Sequence, residues 1–294
     1  MDNKHTAEEL KQWQALPLNV KVLMTKRRIH DWVMNYGSDG VYVSFSGGKD
    51  STVLLHMVRE MFPDIPAVFF DTGLEYPEIR DFVKTFDCVT WLRPKMTFRK
   101  VIETYGYPFI SKEVSGCLHD ARKRIEKGLP LNSYKAQQLQ GISRDPKGNL
   151  SRYNIPQYRF LLDAPFKVSD RCCGVMKKSL SHKYAKETGR MPFIATMATE
   201  SLLRRQAWIR NGCNAFESKH PKSTPMAFWT ETDVLQYAKD NNIKFCSLYG
   251  DIVEEDQLPN QMTWKEYAGF DTGQPKLKTT GLNRKKKGKE NLKP

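Results

Sequence analysis

Strands alternating with helices predict an α/β fold: a doubly wound, mostly parallel sheet with helices on both faces, a basic insertion and an irregular C-terminal tail. Three observations predict it. The β-forming run Val41-Tyr42-Val43-Ser44-Phe45 leads through a glycine-containing loop into a helix-period pattern. A second run, Ala67-Val68-Phe69-Phe70-Asp71, is nearly continuous in apolar residues, as a strand covered on both faces should be. After an irregular middle the pattern resumes with Phe193-Ile194-Ala195-Thr196-Met197 and a helix behind it.

The elements follow in order. Thr6-Ala7-Glu8-Glu9 fits a capping box and starts a helix. A second helix covers roughly 20–35, with Leu23, Ile29, Trp32, Val33 and Tyr36 near one face, and Gly37 and Gly40 break it. After the first strand, a helix from about 50 to 61 carries Val53, Leu54, Met57 and Val58. Pro77 suits the first turn of the helix after the second strand. Residues 88–92 read as a third strand with Cys88 buried in it, and 98–105 as a helix. The stretch from 110 to about 160 is polar, basic and irregular, an insertion with helical parts at 117–127 and 133–140. A helix near 175–188, the strand at 193–197, a helix at 201–211, a last strand at 226–229 and a helix at 231–241 complete the pattern. The domain reading is therefore N-terminal helices at 1–36, an α/β domain at 37–255 and an irregular, partly disordered basic tail at 256–294.

Composition narrows the class. Hydrophobic residues make up 39% of the 294, enough for a sizeable core. No run of about 18 apolar residues is present, so no membrane partner is expected. No secretory signal is visible at the start, and the expected location is the cytoplasm. The net charge is +14, and the segment from Lys276 onward supplies +7 of it, from eight bases and one acid. A basic chain suits a polyanionic ligand, a nucleotide or a nucleic acid. Six cysteines in a cytosolic chain do not suggest a disulfide framework.

The segment Ser44-Phe45-Ser46-Gly47-Gly48-Lys49-Asp50-Ser51 joins a strand to a helix, where phosphates bind in open α/β sheets. Glycines let the backbone approach an anion, and helix-start N–H groups donate to it. Ser46 and Ser51 add hydroxyls and Lys49 a positive charge, while Asp50 caps the helix or helps to hold a metal on the phosphates. Gly47 and Gly48 are adjacent, so this is not a Walker A loop, which needs four residues between its first glycine and the Gly-Lys pair.

This loop resembles the pyrophosphatase loop (PP-loop) of the adenine nucleotide alpha-hydrolase superfamily. Within it the chain is most similar, over roughly 35–255, to the phosphoadenosine phosphosulfate (PAPS) reductase family. Three further motifs carry the resemblance in the family's order. They are Asp71-Thr72-Gly73-Leu74-Glu75-Tyr76-Pro77-Glu78, the acid–serine pair Glu200-Ser201 followed by Arg204, and Pro225-Met226-Ala227-Phe228-Trp229-Thr230 leading into a helix. The resemblance implies an adenine-nucleotide site at Ser44, Ser46, Gly47, Gly48, Lys49, Asp50, Ser51, Asp71, Thr72, Glu200, Ser201 and Arg204, with Lys49 and Asp50 as catalytic candidates. Phe228 and Trp229 read as core.

Departures from the family pattern bear on the chemistry. Sulfonucleotide reductases need a nucleophilic cysteine in a C-terminal segment, and no cysteine follows Cys246 here. Cys172-Cys173 resembles half of a four-thiolate [4Fe–4S] set, but a lysine run stands where a later Cys-x-x-Cys belongs. Met197 replaces an arginine that many reductases place before the acid–serine motif, which favours ATP over PAPS. Three functions are implied. The first is an ATP pyrophosphatase-type enzyme that uses Mg²⁺ and adenylates an acceptor, with DNA or RNA and a sulfur donor as partners. The second is a strict sulfonucleotide reductase working with a thioredoxin-like protein. The third is a non-catalytic nucleotide- or nucleic-acid-binding module.

Overall fold

The computed structural model describes residues 3–254 and the backbone of 277–279. Two compact units divide the chain: the first takes 1–69, 75–91 and everything from 188 onward, the second 70–74 and 92–187.

The first unit begins with helix α1, Ala7–Gln14, which starts at the expected capping box: Thr6 Oγ1 accepts from Glu9 N and the Glu9 carboxylate accepts from Thr6 N. Helix α2 spans Leu18–Tyr36. Its buried face is Lys21, Thr25, Ile29, Trp32 and Val33, whereas Leu23, expected on that face, is 68% exposed. A buried lysine and threonine stand where an apolar count looks for leucine, because both have partners inside. Lys21 Nζ lies 2.7 Å from Asp233 Oδ2 and donates to Gln14 O at 2.7 Å. Trp229 Nε1 donates to Thr25 Oγ1 at 2.8 Å.

Strand β1, Val41–Ser44, is followed by helix α3, Lys49–Met61, and strand β2, Ala67–Phe70. Helix α4, Pro77–Lys84, carries its proline in the first turn, and strand β3 is Val89–Leu92. Cys88 is not a buried strand residue. It is exposed, has a positive φ of 51° and precedes the strand, its carbonyl accepting from Ala67 N and Arg59 Nη2.

The second unit is helical. Helix α5 is Phe98–Tyr105, α6 Lys112–Glu126 and α7 Tyr134–Gln140, and a 3₁₀ segment covers Pro156–Asp163. Helix α8, Arg171–Cys173, runs through a π-helical turn at Gly174–Lys178 into α9, Ser179–Thr188. This unit has its own small core of Val114, Cys117, Leu118, Ala121, Leu139, Leu161 and Val168. Arg122 binds it together, its guanidinium donating to the carbonyls of Leu161, Leu162, Ala164 and Phe166.

The first unit then resumes with β4, Met191–Ile194, shorter than the strand expected at 193–197. Helix α10 is Leu202–Asn211, and strands β5 and β6 are Asn214–Ala215 and Lys222–Ser223. The strand expected at 226–229 is absent: Ala227 N bonds Thr224 O and Trp229 N bonds Met226 O, so this stretch is turns. Its side chains are nevertheless almost fully buried, and burial on every side, not strand pairing, is what made the run apolar. Helix α11, Glu231–Asp240, follows, with a second capping box at Thr230 and Asp233. A two-stranded pair of β7, Ile252–Glu254, with β8, Leu277–Thr279, ends the described chain; the rest of the expected tail lies outside the described residues.

The six-stranded sheet has the order β3-β2-β1-β4-β6-β5. β1 is parallel to β2 and β4, β4 is parallel to β6, and the edge pair β5–β6 is antiparallel. This is the expected mostly parallel, helix-flanked sheet. The order reverses between β1 and β4, which makes the carboxyl ends of those two strands the topological switch point.

Lys21 is the main cross-link between the N-terminal helices and α11. Replacing one partner of a buried ion pair leaves the other charge without compensation, at a cost of about 3–5 kcal/mol. Lys21→Met is therefore expected to lower unfolding stability by about that amount, measured by urea denaturation.

Candidate nucleotide site

The loop between β1 and α3 is closed by its own serines. Gly48 N donates to Ser46 Oγ at 3.3 Å, the Ser46 and Ser51 hydroxyls are 2.9 Å apart, and Ser51 Oγ donates to Gly48 O at 2.9 Å. Ser46 N also donates to Ser51 Oγ. With Ser46 as donor to Ser51, the hydrogens run in one direction round the ring, and the loop is held in shape without a ligand.

Gly47 has φ +70°, and a Cβ there would lie 2.8 Å from Val83 Cγ2 and 2.9 Å from Ile79 Cγ2. Both the backbone and the packing against α4 therefore require glycine. Gly48 gives α3 no side-chain cap, so the first-turn N–H groups are left for an anion.

Four charged side chains gather at this helix start. Lys49 Nζ is 2.7 Å from Glu231 Oε1, the first residue of α11, and sits 5.9 Å from the centre of the Tyr249 ring. Burial pulls the Lys49 pKa down, but the hydrogen bond to Glu231 and the charges of Asp50 and Glu231 outweigh it, and the net shift is upward. Asp50 Oδ1 is buried with no hydrogen-bond partner. Burial raises the Asp50 pKa, Glu231 adds to the rise, and Lys49 and Arg204 oppose it. Arg204 pairs with Glu200, whose Oε1 accepts from Met197 N at 2.6 Å. Ser201 caps α10, its hydroxyl accepting from Arg204 N.

Ser44 ends β1 and pairs with Val68 on one side and Ile194 on the other. The first unit thus holds the loop, Lys49, Asp50, Glu200, Ser201 and Arg204 at the switch-point end of β1 and β4. Asp71 and Thr72 belong to the second unit. Asp71 is 1% exposed, accepts from Gly73 N at 3.1 Å and pairs with Arg93 at 2.9 Å, while Thr72 Oγ1 accepts from Leu74 N. In these contacts both cap the turn that follows β2.

A loop of this build at this sheet position agrees with the match of residues 40–253 to the phosphoadenosine phosphosulfate reductase domain. The chain belongs to that family. Curated relatives of the PAPS reductase family match over short stretches. The phosphoadenosine 5'-phosphosulfate reductase of Xylella fastidiosa (strain 9a5c) is 33% identical over 72 residues, 24% of this chain and 30% of its own length. That of Alteromonas mediterranea is 44% identical over 52 residues, 18% of this chain and 21% of its own. The matched stretch therefore spans less than a third of these relatives. Among solved structures, the phosphate complex of the PAPS reductase from Candida auris is 15% identical with a TM-score of 0.42, covering 84% of this chain and 93% of that one. The U34-tRNA thiolase of Methanococcus maripaludis, solved with its [4Fe–4S] cluster, is 15% identical with a TM-score of 0.36, covering 77% and 66%.

The described residues do not fit an iron–sulfur cluster. Cys172 is half-buried and Cys173 exposed, both in α8, and Cys117 is buried in the core of the second unit. Cys213 and Cys246 are buried in the first unit. Among the described residues no group of three or more His, Cys, Asp or Glu could hold a metal ion.

Two site residues escaped the sequence reading. Glu231 stands directly after the Trp229-Thr230 motif and could have been suspected as a charge at a helix start. Tyr249 lies in an irregular stretch, and nothing in its neighbours marks it.

Two outcomes are expected. A raised carboxylate pKa means that the unfolded chain ionises first, so Asp50 withdraws stability as pH rises from its unfolded pKa through its folded one. Asp50→Asn should therefore stabilise the fold at neutral pH, seen as a higher Tm, with the gain vanishing in acid. Glu231→Gln frees Lys49 from a partly exposed pair worth up to about 1 kcal/mol, so inorganic pyrophosphate should bind about two- to fivefold more tightly by calorimetry.

Proposed function

We propose that the chain binds ATP, with the pyrophosphate portion in the loop of residues 46–51, and acts at the bond between the α and β phosphates. An acceptor nucleophile attacks the α phosphorus, the bond to the bridging oxygen breaks, and pyrophosphate leaves with the electron pair. The acceptor is adenylylated, an activation that suits later attack by a sulfur donor.

The observation that carries this reading is the serine-closed loop at the β1–β4 switch point, with Lys49 beside it. Backbone N–H groups and Lys49 stabilise charge on the leaving pyrophosphate, which is where charge develops. Arg204, whose charge reaches Asp50, suits the α phosphate. Mg²⁺ accompanying the nucleotide offsets its charge, and Asp50, with a free carboxylate oxygen, is the group to hold it. Met197, 4% exposed, turns into the core at the position where many reductases carry an arginine, which supports ATP over PAPS.

The names of the matched relatives support a second reading, reduction of PAPS, for which a thioredoxin-like protein would supply the electrons. One experiment separates the two. ATP and PAPS are supplied in parallel, each with reduced thioredoxin as the electron donor, pyrophosphate and sulfite are measured, and Lys49→Ala is run beside the parent chain. Pyrophosphate from ATP, reduced about a hundredfold or more in Lys49→Ala, is expected. Sulfite from PAPS with no turnover of ATP would reverse the assignment.

A further inference from the structure

Charge is divided unevenly between the two units. The second unit, residues 70–74 and 92–187, holds 20 Lys and Arg against 9 Asp and Glu, a net of +11 in a chain of +14. The segment from Lys276 onward holds +7, which leaves the remainder of the first unit at −4. The body of the protein is therefore not mildly basic throughout. An acidic nucleotide-binding unit is joined to a strongly basic helical one.

Little of this positive charge is neutralised within the unit. Asp71, Glu103, Asp120, Asp170 and Glu187 each already pair with a base, Arg93, Arg99, Arg124, Lys135 and Lys183 in turn. Part of the excess, four bases against one acid, lies between residues 144 and 160. Arg144, Lys147, Arg152 and Arg159 are all exposed there. The one acid among them, Asp145, is spent on the turn, its Oδ1 accepting from Lys147 N and Asn149 N at 2.9 Å each.

The same stretch exposes aromatic rings. Phe160 is 67% exposed, and Tyr153 lies under the Arg152 guanidinium at 5.0 Å. Bases for a phosphate backbone interleaved with flat rings for stacking are what unpaired nucleotides require.

We infer that the second unit binds single-stranded nucleic acid along residues 144–160. The binding claim stands without the adenylylation reading and gives that reading an acceptor class.

The test uses the full chain without ATP. Binding of labelled oligouridylate and oligothymidylate of about 20 nucleotides is followed by fluorescence anisotropy, against a duplex of the same length, from about 50 to about 200 mM salt. The expected result is binding that weakens steeply with salt and favours single strands. Arg144→Glu, Lys147→Glu, Arg152→Glu and Arg159→Glu together should weaken it more than about tenfold. Tyr153→Ala with Phe160→Ala should cost the single strand about tenfold and the duplex little. Lys285→Glu, Lys286→Glu and Lys287→Glu together should change affinity less than about threefold, since the tail is not the site. If the fourfold variant does not fold by circular dichroism, the aromatic pair and Lys147→Glu alone decide. Undiminished binding in those variants, loss only in the tail variant, or no binding at all would overturn the inference. So would phosphatidylserine vesicles that bind the parent chain as tightly and respond to the same substitutions. Oligonucleotide binding without any ATP turnover would sink the adenylylation reading and leave this one standing.

Discussion

A single buried ammonium, that of Lys21, sets the geometry of the first unit. It reaches the carbonyl of Gln14 at the end of α1 and the carboxylate of Asp233 in the first turn of α11. The same carboxylate accepts from Thr230 N at 2.7 Å and so helps to define where α11 starts. Glu231, the first residue of α11, then meets Lys49 at the start of α3. The neighbouring hydrogen bond from Trp229 to Thr25 pins the turn before α11 to α2. Charge burial of this kind is costly unless the charge is paired, and here Asp233 pairs it while Gln14 O accepts a further N–H.

The loop is preorganised in shape and strained in charge. Its serine ring and the Gly47 contact with α4 hold the backbone ready for an anion without help from a ligand. The charged groups around it are less settled. Lys49 is engaged by Glu231, and Asp50 keeps a buried carboxylate oxygen without a partner. On the proposed reading, a bound polyphosphate would compete with Glu231 for Lys49, and exchanging one anionic partner for another would limit the net gain on binding.

The two units differ in physical character as well as in architecture. The first buries a large apolar core around a parallel sheet and is slightly acidic outside its basic tail. The second has a small core, relies on Arg122 to gather four backbone carbonyls, and carries most of the chain's positive charge. The sequence already marks 110 to about 160 as basic, and the fold adds the boundaries, 70–74 and 92–187, over which the charge is gathered.

By itself the sequence determined what depends on neighbours in the chain. The capping boxes at Thr6 and Thr230, the strand–loop–helix around Gly47 and Gly48, the apolar run at 67–70 and the helix starting at Pro77 are all written in short stretches whose local preferences agree with the fold. Tertiary structure decided what depends on distant partners. Leu23 lost its place in the core to Lys21 and Thr25 because Asp233 and Trp229, about 200 residues away, satisfy those polar groups. The run at 226–229 became buried turns instead of a strand, since an apolar run reports burial and says nothing about pairing. Cys88 turned outward because a positive φ precedes β3. Glu231 and Tyr249 joined the site only through packing that brings α11 and the segment after it onto the loop, and no local pattern encodes a contact of that range.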